Sequence, residues 1–226
     1  MKLAVWDVDG TLVDSRRAIT AAMDEAFRAV GLPEPGYQRT RRIVGLSLDA
    51  ACVALAPPDI GAARLDALGE AYKRAFVANR QRPDYDEPLF PGAQETLARL
   101  AAEGWLLAVA TGKEMRGLRH VFDRHPIETF FVSLHTACGG AGKPDPRMVI
   151  EAMDCCGARA SQTVVIGDSE HDMRMARSAG ARALGVTWGF HIAEELADGG
   201  AHEIHNDFEA LNAGLDRFAA GLHHEP

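Results

Sequence analysis

Short, continuously apolar runs alternate along most of the chain with stretches whose apolar residues recur at steps of three and four. The runs are Leu3 to Trp6, Trp105 to Ala110, Phe130 to Val132, Thr163 to Ile166 and Ala183 to Val186. Each has the length of a strand and is apolar on both faces, as expected of a parallel sheet covered by helices on either side. Helical periodicity fills the intervals. It covers residues 93–102, a segment with Leu118, Val121 and Phe122, and one with Met148, Val149, Ala152, Met153 and Cys156. It returns over 173–179 and in a tail with Phe208, Leu211, Leu215, Phe218 and Leu222. Strands separated by helices predict an α/β fold with a doubly wound, Rossmann-like parallel sheet, because a parallel crossover needs a helix between neighbouring strands.

One block breaks the alternation. Ile19, Ala22, Met23, Ala26, Phe27 and Val30 give a helical face over residues 15–30, which Gly31 and Pro33 stop. Further helical segments follow over 47–56 and around Leu65, Leu68, Tyr72, Ala75 and Phe76, with Pro57 and Pro58 between them. No strand pattern occurs here. Residues 80–91, with Pro83, Pro88 and Pro91 among acidic side chains, read as a connector. The expected organisation is an α/β core from residues 1–14 and 88–226, with a helical cap over 15–87. Such an insertion starts beside the tip of the first strand, where it can roof a site.

Composition narrows the function classes. The chain has 226 residues, 47% of them apolar, and a formal net charge of −8 without a lysine or arginine block, which disfavours nucleic acid and anionic membrane as partners. The start has too short an apolar run for a signal peptide, and no segment approaches the roughly 20 apolar residues of a membrane span, so a cytoplasmic protein is expected. Cys52, Cys138, Cys155 and Cys156 show no paired CxxC spacing and are expected to be reduced core residues.

The chemistry lies at the strand ends. The first strand runs into Asp7-Val8-Asp9-Gly10-Thr11, the second into Thr111-Gly112-Lys113, and the fourth into Gly167-Asp168 and Asp172, while a Gly-rich loop delivers Lys143. In an open α/β sheet these ends line one crevice. Converging carboxylates repel one another and are tolerable mainly around a divalent cation, and all-oxygen ligands suit Mg²⁺. A hydroxyl and an ammonium opposite would serve an anionic group, and phosphate on Mg²⁺ meets both requirements.

These four motifs, in this order, resemble those of haloacid dehalogenase superfamily phosphatases, of the subgroup with a helical cap after the first motif. The resemblance implies that Asp7 attacks phosphorus to form an aspartyl phosphate, and that Asp9 protonates the leaving oxygen and then takes a proton from water. It further implies that Thr111 and the Gly112 backbone hold phosphoryl oxygens, that Lys143 neutralises charge, and that Asp7, the Asp9 carbonyl and Asp168 bind Mg²⁺ with support from Asp172. An Asp at position 9 disfavours dehalogenating and phosphonate-cleaving relatives. A sugar phosphomutase and a catalytically silent phosphate-binding relative remain alternatives. The expected partner is a small phosphorylated metabolite, handled by a monomer or weak homodimer.

Substrate contacts are expected from Lys113 and from Arg42, whose placement resembles that in phosphoglycolate phosphatase-like relatives and would suit a carboxylate. Hinges are expected near Asp14 and Ser15 and over 87–91. Residues 139–143 fail as a nucleotide P-loop, since Ala137 stands at the first Gly position and Pro144 replaces the metal-binding hydroxyl. His171 is expected to be a solvated residue at a helix start rather than a ligand, and His202, His205, His223 and His224 to be surface residues.

Overall fold

The computed structural model describes residues 1–137 and 142–222. Six strands, β1 (Leu3–Trp6), β2 (Leu106–Thr111), β3 (Ser133–Thr136), β4 (Thr163–Gly167), β5 (Arg182–Val186) and β6 (Glu203–His205), form one sheet in the order β3-β2-β1-β4-β5-β6. Every pairing is parallel, and β1 is held between β2 and β4, Trp6 lying opposite Val109 and Ile166. The order reverses between β1 and β4, the topological switch where a doubly wound sheet leaves a crevice.

Alternate residues of the central strands supply two separate cores. Ala4, Trp6, Leu107, Val109, Val164 and Ile166 pack on Leu97 and Leu100 of α5 (Ala93–Ala102), Leu118 and Val121 of α6 (Met115–Arg124), and Leu211 and Leu215 of α10 (Phe208–Leu222). Leu3, Val5, Ala108, Ala110 and Val165 face the other way, onto α7 (Arg147–Cys156), α8 (Glu170–Ser178) and Leu196 of α9 (Ala193–Asp198). Most of these side chains are entirely buried, each worth about 1.5–3 kcal/mol in the large aliphatic cases. The strands are thereby fixed in register, and with them the residues at their tips.

Between β1 and α5 the chain builds a helical unit: α1 (Arg16–Ala29), α2 (Gly36–Thr40), a 3₁₀ turn at Arg41–Ile43, α3 (Leu48–Leu55) and α4 (Ala62–Asn79). Its own apolar cluster joins Ile19, Met23 and Phe27 of α1 to Leu68, Ala71 and Phe76 of α4, and takes in Phe190 from the loop after β5. The two chain segments that carry this unit run side by side. Val13 bridges Leu89, the Asp14 amide donates to the Pro88 carbonyl at 2.8 Å, and the Phe90 amide donates to the Leu12 carbonyl at 2.9 Å.

The structure differs from the sequence reading in several places. The apolar run Phe130-Phe131-Val132 is not strand β3; residues 128–130 form a 3₁₀ turn, Phe130 and Phe131 pack on the core, and the strand is the half-buried Ser133–Thr136 at the sheet edge. Helix α8 begins at Glu170 because the Ser169 hydroxyl and Asp172 carboxylate cap its first turn reciprocally. Cys52 is buried and free, whereas Cys155 is exposed. His205 is buried against Gly214 of α10 rather than lying at the surface, and His202 is exposed and accepts from the Ala183 amide at 2.9 Å. Cys138, most of the P-loop-like stretch, His223 and His224 lie outside the described residues. No described helix is long and apolar enough to cross a membrane.

Candidate active site

The tips of β1, β2 and β4, the start of α8 and the loop between β3 and α7 bring Asp7, Asp9, Thr111, Asp168, Asp172 and Lys143 into the switch-point crevice, all of them buried. The Lys143 ammonium bridges two of the carboxylates, 2.7 Å from Asp7 Oδ1 and 2.6 Å from Asp172 Oδ1. The other oxygen of Asp172 accepts from the Ser169 hydroxyl at 2.6 Å and the Ser169 amide at 3.1 Å. With both oxygens engaged, Asp172 holds Lys143 in place. Asp168 is fixed from two sides, its Oδ1 by the Thr11 hydroxyl at 2.9 Å and its Oδ2 by the Phe190 amide at 2.7 Å. Close backbone approach makes this possible. Gly10 has φ +83°, and a Cβ there would stand 2.2 Å from Asp168 Oδ2.

Burial sets the electrostatics. It pushes the Asp7 carboxyl up to about 7, with Lys143 pulling it down and Asp172 and Asp9 adding to the rise. Burial, then repulsion from Asp7 and Asp172, raises Asp168 well above the ordinary carboxylate range. Burial opposes the charge on Lys143 too, but Asp172 and Asp7 together hold its ammonium above the ordinary lysine value. One oxygen each from Asp7, Asp168 and Asp172 lies within 4.8 Å of the others. Three buried carboxylates against one ammonium leave two charges uncompensated, the charge of one divalent ion, and an all-oxygen donor set at this spacing fits Mg²⁺. The Asp9 carboxylate stands apart from that trio, with Oδ1 3.0 Å from the Lys113 ammonium. Thr111 Oγ1 accepts the Lys113 amide at 3.2 Å, which fixes the turn after β2.

The helical unit closes the crevice. A Cβ on Gly112 would fall 2.4 Å from the Leu46 carbonyl and 2.7 Å from that of Gly45, so the segment after the 3₁₀ turn rests directly on the second motif. A cavity of about 170 Å³ remains, with Asp7, Asp9, Thr111, Gly112 and Lys113 on its floor and Met23, Val44, Leu46, Tyr72 and Phe76 among its walls.

Arg42 does not face this cavity. Its side chain is exposed, because the tight 3₁₀ turn sends consecutive residues to different sides. Its neighbour Arg41 is the buried one, paired with Glu195 of α9 through contacts of 2.7 and 2.9 Å and donating to the Phe190 carbonyl at 3.1 Å. His171 Nε2 donates to the Arg42 carbonyl at 3.2 Å, and His171 is not among the clustered metal-type ligands. The sequence reading chose Arg42 over its neighbour Arg41 and gave no role to Phe190, Thr11 or Ser169. Thr11 and Ser169 were discoverable as hydroxyls beside motif carboxylates; Arg41 and Phe190 were not, since their roles depend on how two distant segments dock.

Arg41 pulls the Glu195 carboxyl down to about 2, with burial opposing and the Ile192 amide assisting. A depressed carboxylate contributes above its ordinary value of 4.5 and loses that contribution as pH falls toward 2. Amide protection over residues 41–47 is accordingly expected to weaken below about pH 4.5 in the wild type. Arg41→Met should lower that protection at neutral pH and remove its pH dependence, as read by hydrogen exchange; an unchanged profile would deny the pair a part in docking.

The family profile described as “Haloacid dehalogenase-like hydrolase” matches residues 4–186. “Probable phosphatase IndB” of Dickeya dadantii is 33% identical over 195 residues, spanning 86% of this chain and 84% of that one. “Phosphoglycolate phosphatase” of Pectobacterium atrosepticum is 30% identical over 221 residues, spanning 95% and 88%. The crystal structure of a hydrolase from Pseudomonas syringae superposes with a TM-score of 0.85 at 27% identity, over 96% of this chain and 99% of its own. The chain belongs to the haloacid dehalogenase-like hydrolase family, in its capped phosphatase branch.

Proposed function

We propose that the protein is a Mg²⁺-dependent phosphohydrolase that cleaves a small phosphomonoester through an aspartyl phosphate on Asp7. The carrying observation is the buried Asp7–Lys143–Asp172 bridge at the switch point, with Asp168 beside it. Asp7 Oδ would attack phosphorus while the ester oxygen departs with a proton from Asp9. Asp9 would then accept a proton from the water that attacks the same phosphorus, releasing phosphate and restoring the Asp7 carboxylate. For the first transfer the Asp9–Lys113 pair must part, and Lys113 would then be free to meet the phosphoryl oxygens. The Thr111 hydroxyl and Gly112 amide would hold those oxygens, and Lys143 would keep Asp7 oriented. Asp7, Asp168 and the Asp9 carbonyl would hold Mg²⁺, which would supply charge neutralisation on the phosphoryl group.

Residues 15–87 would act as the moving cap, hinged where Leu12–Asp14 and Pro88–Phe90 pair, closing to exclude water and opening for exchange. Relatives named phosphoglycolate phosphatase support a small phosphorylated metabolite as substrate, and we place the enzyme in the cytoplasm as a monomer or weak homodimer.

Phosphate release from p-nitrophenyl phosphate with and without Mg²⁺ tests the reading. Metal-dependent release is expected. Asp9→Ala should cost about 10²- to 10⁴-fold in kcat on an alkyl phosphate, the range of general acid–base catalysis. The loss in the first transfer should be far smaller with p-nitrophenyl phosphate, whose leaving group needs no proton, as a single-turnover measurement would show. Equal losses in that step on both substrates would remove Asp9 from the acid role.

A further inference from the structure

We propose, resting on the phosphohydrolase reading, that the preferred substrates are phosphomonoesters with an extended apolar leaving group, aromatic or aliphatic, rather than a short carboxylate-bearing one. The leaving oxygen must sit beside Asp9, so whatever borders Asp9 on the cap side borders the leaving group. From Asp9 the Lys113 ammonium is 3.0 Å away, and that ammonium is 5.2 Å from the centre of the Phe76 ring. An apolar wall thus begins one side chain from the acid.

The wall is continuous. Tyr72 and Phe76, one helical turn apart on α4, have ring centres 5.6 Å apart, and Ile19, Met23, Val44 and Leu46 are among the other residues of the lining. Tyr72 is half-buried and lines the same cavity as Asp9, so its ring is part of the chamber that holds the acid.

The cap's cations are placed poorly for a short carboxylate. Arg41 is committed to Glu195 and the Phe190 carbonyl, and Arg42 is exposed. Lys73 is paired with Glu114 at 3.0 Å and Glu70 at 3.4 Å. Arg80 lines the cavity with its guanidinium held over the Phe76 ring, 4.9 Å from its centre. Arg116 and Lys113 also line the cavity and both come from the core, Arg116 exposed on α6 and Lys113 already facing Asp9. A carboxylate one carbon from the ester oxygen would enter an apolar wall at the cost of its hydration, whereas each methylene of an alkyl chain would gain by leaving water.

The test is kcat/KM with Mg²⁺ for ethyl, propyl, butyl and pentyl phosphate beside phosphoglycolate and acetyl phosphate. The alcohols differ little as leaving groups, so the slope along the series reads the wall. A rise of about three- to fourfold per methylene is expected, with butyl phosphate above phosphoglycolate. Phe76→Ala, shown to be folded by circular dichroism, should flatten the slope. A flat series in the wild type, or phosphoglycolate above butyl phosphate while acetyl phosphate is turned over, would overturn the apolar assignment and leave the phosphohydrolase intact. Absence of release from acetyl phosphate and every other compound would overturn the phosphohydrolase reading, and this assignment with it.

Discussion

Asp7→Asn is expected to reduce phosphate release by roughly 10⁴- to 10⁶-fold, the scale seen when a covalent nucleophile is removed from a site otherwise left in place. The substitution keeps the shape of the side chain and a hydrogen-bond acceptor for Lys143, but an amide oxygen does not form the acyl phosphate that the two-step route requires. Retention of more than about 1% of wild-type turnover would sink Asp7 as nucleophile by that comparison.

The same variant should behave in the opposite sense toward folding. Asp7 has a folded-state pKa of about 7 against an ordinary 3.8, so the folded protein resists its ionisation. Its carboxylate therefore lowers the stability of the metal-free protein progressively as pH rises between those values, and has no such effect below the lower one. Metal-free Asp7→Asn should melt no lower than the wild type, with an advantage that widens from about pH 4 to about pH 7. Added Mg²⁺ should stabilise the wild type more than the variant, because an ion that binds only the folded state stabilises it by mass action. A variant melting well below the metal-free wild type at neutral pH would contradict the repulsion inferred among Asp7, Asp168 and Asp172.

Lys143→Met is the second large effect. Breaking a buried ion pair by removing one partner costs about 3–5 kcal/mol, because the charge left behind has neither water nor a counter-ion. Here two carboxylates are left, Asp7 and Asp172, both within 3 Å of the ammonium that is lost. A fall in urea midpoint is expected, together with loss of about 10²- to 10³-fold in kcat as the charge beside the phosphoryl group disappears. Adding Asp7→Asn to Lys143→Met should recover part of the stability and none of the activity. Simple additivity of the two stability changes would show that these side chains do not interact as the 2.7 Å contact requires.

The central architecture was legible because the sequence states it twice, once in the apolar runs of β1, β2, β4 and β5 and once in the helices between them. The edges were not. Strand β6 is three residues with Glu203 and His205 at its ends, and β3 is half-buried throughout and carries Ser133, His135 and Thr136. An edge strand meets a partner on one side only and so needs less apolar surface, which erases the signal. Helices α2 and α9 were missed for a related reason, being too short to complete two turns of periodicity. The residues of the first, second and fourth motifs were legible because each follows a strand whose end is fixed by the sheet, and Lys143 because it stands beside Pro144 at the end of a Gly-rich loop. The wall was legible in part: Tyr72 and Phe76 lay on a recognised apolar helical face, but periodicity does not say whether such a face packs on another helix or borders a cavity. The choice between Arg41 and Arg42 turned on the phase of one 3₁₀ turn, which no pattern of apolar residues records.

The pairing of Leu12–Asp14 with Pro88–Phe90 has a bearing on modularity. Both ends of the helical insertion leave the sheet as neighbours, so the span between them can change in length or sequence without moving β1 or altering the strand order. Insertions into a closed fold are tolerated best where their two ends already lie together. On the proposed reading, the part of the molecule that would choose among phosphate esters is carried as a cassette separate from the part that would break the bond. A chimera that joins a different helical insert at residues 14 and 88 would keep the buried carboxylates and lysine where they are while presenting another wall to the leaving group.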